Sequence, residues 1–231
     1  MPTRTVPGFL PSTSGFRFAN AFPQVPLRHI GIPGVVRIRI GDASNGLCGG
    51  MAFAARDYFE AGRKPSQGTT PPRRGRLFDF LVDRLLASFE LPTGPARYLE
   101  LMSPALPDGE PVWRWLGVGP HGRSWRMIRE EWPKVRAEID AGHPSPLGLV
   151  LAKSSNPIDL KLNHQVLAYG YDLVGEALSL RLYDPNLPAR DDVSMSMSVA
   201  EPRKPTAATL RPQGTRVHSF FRVGYTPSPP P

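Results

Sequence analysis

Three short segments of the sequence contain residue types that together could carry out acyl-group chemistry. Cys48 stands among glycines in Gly46-Leu-Cys-Gly-Gly-Met51. His164 opens an apolar run, and Asp184 follows another apolar run in Leu182-Tyr-Asp-Pro-Asn186. A cysteine beside a histidine that is oriented by an acid can attack an acyl carbonyl and form a thioester. This chemistry requires a fold that brings the three side chains together.

Cys48 is predicted to lie at the N-terminal end of a helix. Residues 49–60 are rich in helix-forming types, and their apolar members return on one face. The unpaired N–H groups at a helix start favour the thiolate, which is the reactive form of cysteine. Gly49 and Gly50 leave room for a substrate, so we predict them to be binding residues. The alternative is that Cys48 is a small buried core residue, as many free cysteines are.

His164 and Asp184 are predicted to be neighbours across a β-hairpin. The first strand begins at His164, the second ends beside Asp184, and the turn is centred near Val174. Each of the two residues is then about ten positions from the turn, which places them opposite each other. The alternatives are a structural histidine and an ordinary Asp-Pro turn. Asn163, directly before the first strand, is predicted to contact the substrate.

Helical periodicity in the first part of the chain and strand alternation in the second predict an α+β fold. The short connection between the two hairpin strands favours antiparallel pairing. A long polar loop is expected around Met195 and Met197. The predicted helices are Gly49–Glu60, Leu77–Phe89, Ala96–Met102, Ser124–Glu131 and Pro133–Ala141, and the predicted strands are Val35–Ile40, Leu147–Ala152, His164–Tyr171, Ala177–Tyr183 and Arg216–Tyr225.

The distribution of proline and glycine predicts one folded domain with two extended ends. Residues 1–33 mix Pro, Gly and Ser with single aromatic residues, which indicates an extended arm lying over a surface. Residues 226–231 form a proline-rich tail. The folded domain is expected to span residues 34–225.

The cysteine and histidine content argues against a metal site. The chain has a single cysteine, so it can form no intramolecular disulfide and no cysteine-rich zinc site. None of the five histidines has the spacing of a metal-binding motif. We therefore predict neither a metal nor a cofactor.

Hydropathy and charge point to a soluble cytoplasmic protein. The sequence lacks an apolar run of roughly 18 residues and an N-terminal signal pattern, so we expect no membrane association. The net charge of +8 is spread along the chain, and the densest basic group, Arg73, Arg74 and Arg76, has no interleaved aromatic residues. We expect a solvated surface here and no nucleic-acid partner. Binding to nucleic acid would show a steep dependence on salt.

The motifs G-x-C-G-G, H-x-V-L-A-x-G-Y-D and Y-D-P-N, in this order, resemble the papain-like cysteine peptidase superfamily. Within it, the sequence is most similar to the bacterial branch that cleaves double-glycine leader peptides, over Val35 to about Pro188. The resemblance implies a papain-like fold and a peptide or acyl-amide substrate. It also implies that Cys48 is the nucleophile, that His164 is the general base and then the general acid, and that Asp184 fixes the imidazole tautomer.

One position departs from the pattern of this superfamily. A glutamine usually stands six residues before the cysteine and donates a hydrogen bond to the oxyanion, whereas this chain has Asp42 there. An ionised carboxylate would repel the developing negative charge. Asn45, three residues before Cys48, is the alternative donor together with the Cys48 backbone N–H.

Two other functions are compatible with the same residues. Acyl transfer of the transglutaminase type uses Cys, His and Asp in this chain order and resolves the thioester with an amine instead of water. A catalytically inactive papain-like scaffold that binds a peptide or a protein is the other, because Asp42 departs from the pattern and the ends are extended.

Overall fold

Helices and an antiparallel sheet form a mixed α/β fold in the computed structural model, which describes residues 2–22, 28–31, 37–40 and 46–231. The α-helices are α1 Pro11–Ser14, α2 Cys48–Glu60, α3 Arg76–Ser88, α4 Thr93–Met102, α5 Arg123–Trp125 and α6 Trp132–Asp140. The 3-10 helices are Val112–Leu116 and Pro157–Leu162, and a π-helix, Arg126–Glu131, joins α5 to α6. The strands are β1 Thr3–Thr5, β2 Arg28–Gly31, β3 Arg37–Ile40, β4 Ser145–Val150, β5 His164–Val174, β6 Ala177–Tyr183, β7 Ser194–Ser198, β8 Ala208–Arg211, β9 Thr215–Val217 and β10 Ser219–Arg222.

Eight of these strands form one sheet in the order β10-β4-β5-β6-β7-β8-β9, with β1 paired to β5. Every pair of neighbouring strands is antiparallel. The long strand β5 pairs with β4 along its first half, and β1 continues on that side at residues 170–172. Strand β5 therefore lies inside the sheet, where neighbours on both sides fix its position.

The predicted order of elements is found, because helices precede most of the sheet and the sheet is antiparallel. The region around Met195 and Met197 is strand β7, not the loop that its serines suggested. The two methionines are buried while Ser194 and Ser196 are partly exposed, so the segment alternates as a half-buried strand does. The two predicted helices around Pro133 are one continuous helical stretch whose π-helical turns precede this proline.

Helix α2, which begins at Cys48, is fixed by contacts with both α3 and β5. A Cβ atom at Gly50 would lie 2.1 Å from the carbonyl oxygen of Leu81 in α3, so glycine permits this close helix packing. Asp57 and Arg84 form a buried ion pair between the same two helices, with Nε and Oδ2 2.6 Å apart. The start of α2 is thus held in a set position relative to β5.

The aromatic residues between Phe9 and Phe22 belong to the core, which differs from the surface arm predicted for residues 1–33. Phe9, Phe16, Phe18 and Phe22 are each at most 2% exposed and pack in the same apolar cluster as the sheet. The predicted boundary at residue 33 also falls between the paired strands β2 and β3. Spaced single aromatic residues in this segment are therefore core positions, although proline and glycine interrupt every regular periodicity.

The C-terminal tail contacts the helices α2 and α3. Arg84 donates a hydrogen bond to the carbonyl oxygen of Thr226 at 2.7 Å. Asp57 Oδ1 accepts hydrogen bonds from the Tyr225 hydroxyl at 2.7 Å and from the Ser228 backbone N–H at 2.9 Å. The Asp57 carboxylate therefore joins the tail to α2.

In the part of the chain that the structure describes, no helix combines the length and the apolar character needed to cross a membrane.

Candidate active site

The candidate nucleophile Cys48 is the first residue of α2 and is partly exposed. The preceding residue, Leu47, is completely buried and anchors the start of the helix. Burial raises the pKa of the Cys48 thiol, but the charge and hydrogen bond of His164 and the backbone N–H groups of Gln165 and Gly49 together outweigh burial and lower it. The net direction is a lowered pKa, which favours the thiolate.

His164 is the first residue of β5 and is 8% exposed. Burial lowers the pKa of its imidazole, but the Cys48 thiolate and the Asp184 carboxylate together outweigh burial and raise it to about 10. Its Nε2 atom lies 2.7 Å from Oδ1 of Asp184. Because Nε2 is engaged by this carboxylate, Nδ1 is the ring nitrogen left to face the sulfur.

Asp184 directly follows β6 and is 1% exposed. Its Oδ1 also accepts a hydrogen bond of 2.8 Å from the backbone N–H of Asn186. The carbonyl oxygen of Asp184 accepts a hydrogen bond from the Leu187 N–H at 2.9 Å, so the residue also forms the turn expected of an Asp-Pro pair. Asp184 therefore both forms the turn through its backbone and contacts His164 through its side chain.

The contact between His164 and Asp184 is the predicted one, but the predicted strand register is wrong. Strand β5 pairs with β6 so that Leu167 lies opposite Tyr183, and continuing that pairing places Asp184 opposite Val166. The turn lies at residues 175–176 instead of near residue 174, which shifts the pairing of the two strands away from the predicted one. A bulge at Tyr169 reverses this shift by only one position. His164 therefore reaches Asp184 diagonally, on the same face of the hairpin.

Asn186 lies at the rim of the site. Its side-chain Nδ2 is 3.4 Å from Nε2 of His164, whereas Asp184 Oδ1 is at 2.7 Å. Asn186 is exposed, and Asp184 is buried. The carboxylate is therefore the closer and better shielded partner of the ring.

The glycines after Cys48 are explained by packing instead of by space for a substrate. Both Gly49 and Gly50 are buried. A Cβ atom at Gly49 would lie 2.3 Å from Oε1 of Gln165 and 2.3 Å from Oγ of Ser88. The space beside Gly49 that was predicted to accommodate a substrate is thus filled by side chains of β5 and α3.

Asn163 has a structural role beside the site. Its Oδ1 accepts a hydrogen bond from the Leu151 backbone N–H at 3.0 Å, and its Nδ2 contacts the Met102 sulfur at 2.9 Å and the Leu160 carbonyl oxygen at 3.2 Å. These contacts tie the start of β5 to the end of β4 and to α4. The contacts therefore position His164. They also occupy the polar side-chain atoms of Asn163 that were predicted to contact a substrate.

The two residues considered for the oxyanion site, Asp42 and Asn45, lie outside the residues that the structure describes. The assignment of Asn45 as the side-chain donor therefore stays a prediction.

Asn20 is a polar residue near the site that the sequence did not single out. Its Oδ1 accepts a hydrogen bond from the Leu47 backbone N–H at 2.7 Å, and its Nδ2 donates to Oδ1 of Asn186 at 3.2 Å. No motif or spacing connects Asn20 with Cys48. The only signal is a polar residue within a run of apolar and aromatic residues that itself lies in the core.

The arrangement can generate a thiolate and move a proton. Cys48 supplies the sulfur, His164 can accept and return a proton, and Asp184 stabilises the protonated ring. Across residues 2–22, 28–31, 37–40 and 46–231, no group of three or more His, Cys, Asp or Glu side chains could hold a metal ion.

Comparisons with known proteins found no matching family model, no matching curated protein and no matching solved structure for this chain.

Proposed function

We propose that this protein is a papain-like cysteine hydrolase that cleaves a peptide or another amide bond through a thioester on Cys48. The observation that carries the proposal is the 2.7 Å contact between His164 Nε2 and Asp184 Oδ1, beside a Cys48 thiol whose pKa the same imidazole lowers. Burial of the carboxylate excludes water that would weaken this contact.

The fold supports the papain-like assignment. The candidate nucleophile begins a helix, this helix packs on an antiparallel strand that begins with the candidate base, and the acid follows the next strand. Each of the three residues is therefore at the end of a regular element, where its backbone is fixed and its side chain can meet the others. Active-site groups held on rigid elements keep the alignment that catalysis needs.

The proposed reaction has two halves. The Cys48 thiolate attacks the acyl carbon of the substrate, the C–N bond breaks, and the imidazolium of His164 gives its proton to the departing amine. Water then attacks the acyl carbon of the thioester while the neutral imidazole takes a proton from it, the C–S bond breaks, and the acid product leaves, which restores the Cys48 thiolate and the His164 imidazolium. The Cys48 backbone N–H and the side chain of Asn45 are the proposed donors to the oxyanion.

Labelling with an electrophilic acyl or peptidyl probe tests the proposal. We expect one adduct per chain, mapped to Cys48, which is the only cysteine. Cys48→Ala should abolish the adduct, and His164→Ala should slow its formation. His143→Ala is the matched control, because His143 is an exposed histidine whose imidazole has Glu60, at 3.1 Å, as its hydrogen-bond partner. A folded wild-type protein whose Cys48 resists every such probe would contradict the proposal.

Product analysis separates hydrolysis from the two alternative functions. An acyl donor incubated with the protein should release the free acid, and the yield of acid should change little when a primary amine is added. Formation of the new amide in preference to the acid would indicate an acyl transferase. Binding of peptide without any release of acid would indicate a scaffold that lacks turnover.

A further inference from the structure

The polar residue Asn20 links the two parts of the chain that carry Cys48 and Asp184. Its backbone N–H donates to the carbonyl oxygen of Pro185 at 2.9 Å, directly after Asp184. Its side-chain Oδ1 accepts from the N–H of Leu47 at 2.7 Å, directly before Cys48. Asn20 therefore forms hydrogen bonds both to the residue after Asp184 and to the residue before Cys48.

The side chain of Asn20 also fixes the amide of Asn186. Nδ2 of Asn20 donates to Oδ1 of Asn186 at 3.2 Å, and the backbone N–H of Asn186 donates to Asp184 Oδ1 at 2.8 Å. Asp184 Oδ1 in turn contacts His164. These contacts form a continuous chain from Leu47, the residue before Cys48, through Asn20, Asn186 and Asp184 to the ring of His164.

The space for the Asn20 side chain depends on a glycine. A Cβ atom at Gly46 would lie 2.3 Å from Nδ2 of Asn20, so any larger residue there would displace the amide. Gly46 also has a positive φ of 21°, a conformation that glycine adopts without strain. The turn before Cys48 is thus shaped to fit against Asn20.

We propose that Asn20 is a positioning residue of the active site, which holds the start of α2 against the turn after β6 and so aligns the Cys48 sulfur with the His164 ring. The N-terminal segment then completes the site instead of only covering the core. This inference rests on the proposed function, because alignment of the two groups matters only where the sulfur reacts. A displacement of about 1 Å in such a site is enough to reduce reactivity by about a hundred-fold.

The pH dependence of Cys48 alkylation by iodoacetamide tests this role. A residue that only stabilises the fold would leave the midpoint of the profile unchanged in the folded variant, whereas loss of alignment weakens the bond between thiolate and imidazolium. We expect Asn20→Ala to raise the midpoint by about one pH unit, which is about a tenfold lower thiolate fraction below the midpoint. Asn20→Ser should raise the midpoint by a similar amount, because the shorter serine side chain cannot reach both Leu47 and Asn186. This second variant tests the inference if the alanine variant does not fold.

Asn156→Ala is the matched control for this experiment. The side chain of Asn156 also accepts a single backbone N–H, from Ile158, at the start of a surface 3-10 helix. Its profile should coincide with the wild-type profile. Unchanged midpoints in both folded Asn20 variants would overturn the inference and leave the proposed function intact. A wild-type midpoint at the value of an ordinary thiol would overturn both.

Discussion

The imidazole of His164 lies 2.7 Å from the Asp184 carboxylate, although the two residues are not opposite each other in their hairpin. The same carboxylate oxygen is held by the backbone N–H of Asn186 at 2.8 Å. Two donors therefore fix one buried oxygen atom, and a fixed acceptor sets both the tautomer and the orientation of the ring. The orientation of His164 is thus determined by Asp184 and by the turn that follows it.

Replacement of Asp184 should impair turnover far more than replacement of Asn186. We expect Asp184→Ala to reduce kcat/KM by about a hundred-fold or more, because the imidazolium loses its buried counter-charge and its tautomer is no longer fixed. Asn186→Ala keeps the backbone N–H that holds Asp184 and should reduce turnover only weakly. Steady-state kinetics with an acyl-amide substrate measure both effects. Similar losses in the two variants would contradict this assignment.

Asn45 is predicted to donate a side-chain hydrogen bond to the oxyanion. Only an amide can donate at neutral pH without a raised pKa, so Asn45→Ala should lower kcat by about a hundred-fold, while Asp42→Ala should leave the donor in place. The comparison of kcat in these two variants with that of the wild type checks the prediction. Equal turnover in wild type and Asn45→Ala would refute the role of Asn45.

Replacement of Gly50 by alanine should destabilise the fold, even though alanine has a higher helix propensity than glycine. The added Cβ atom would lie 2.1 Å from the Leu81 carbonyl oxygen, so α2 and α3 would have to separate. We expect Gly50→Ala to lower the free energy of unfolding by about 1–3 kcal/mol, measured by urea denaturation. Gly68→Ala is the control, because the nearest atom to its Cβ would be the Ser66 hydroxyl oxygen at 3.6 Å, and its cost should stay within about 0.5 kcal/mol. Equal stability of the two variants would show that the helices can adjust.

Removal of the Asp57 carboxylate should destabilise the attachment of the tail to α2. The side chains of Asp57 and Arg84 are 0% and 6% exposed, and Asp57→Ala would leave the guanidinium buried without its partner. We expect a loss of about 3–5 kcal/mol in the free energy of unfolding. Glu201→Ala removes a carboxylate from an exposed pair with Lys204 and should leave thermal unfolding close to wild type. A melting temperature of Asp57→Ala equal to that of this control would contradict the prediction.

Hairpin spacing predicts that His164 and Asp184 are neighbours, because each residue marks the end of a strand. The spacing does not place Cys48 beside them, and that expectation comes from the resemblance to the papain-like superfamily. The register between His164 and Asp184 was not predicted, because the turn lies at residues 175–176 and not near Val174, and the bulge at Tyr169 recovers only one position of that shift. The contact thus depends on the exact position of a turn and on a bulge, and periodicity reveals neither.

Asn20 illustrates a contact that the sequence cannot predict. Its side-chain partners Leu47 and Asn186 are 27 and 166 positions away along the chain. Such contacts depend on how the N-terminal segment folds back, which is determined by the burial of its phenylalanines. Sequence periodicity indicates elements and faces, whereas contacts at this separation require the tertiary structure.

The pH profile of iodoacetamide alkylation at Cys48 tests the central claim most directly, because the chain has no other thiol. The lowered pKa of Cys48 and the raised pKa of His164, about 10, predict a thiolate–imidazolium pair between the two values. The rate should rise as pH increases through the lowered pKa of Cys48, so the midpoint should lie below that of an ordinary thiol, whose pKa is about 8.5. His164→Ala should move the midpoint upward to that ordinary value or above it, and His143→Ala should not. A wild-type midpoint near 8.5, or alkylation only after denaturation, would contradict the assignment of Cys48 as an activated nucleophile.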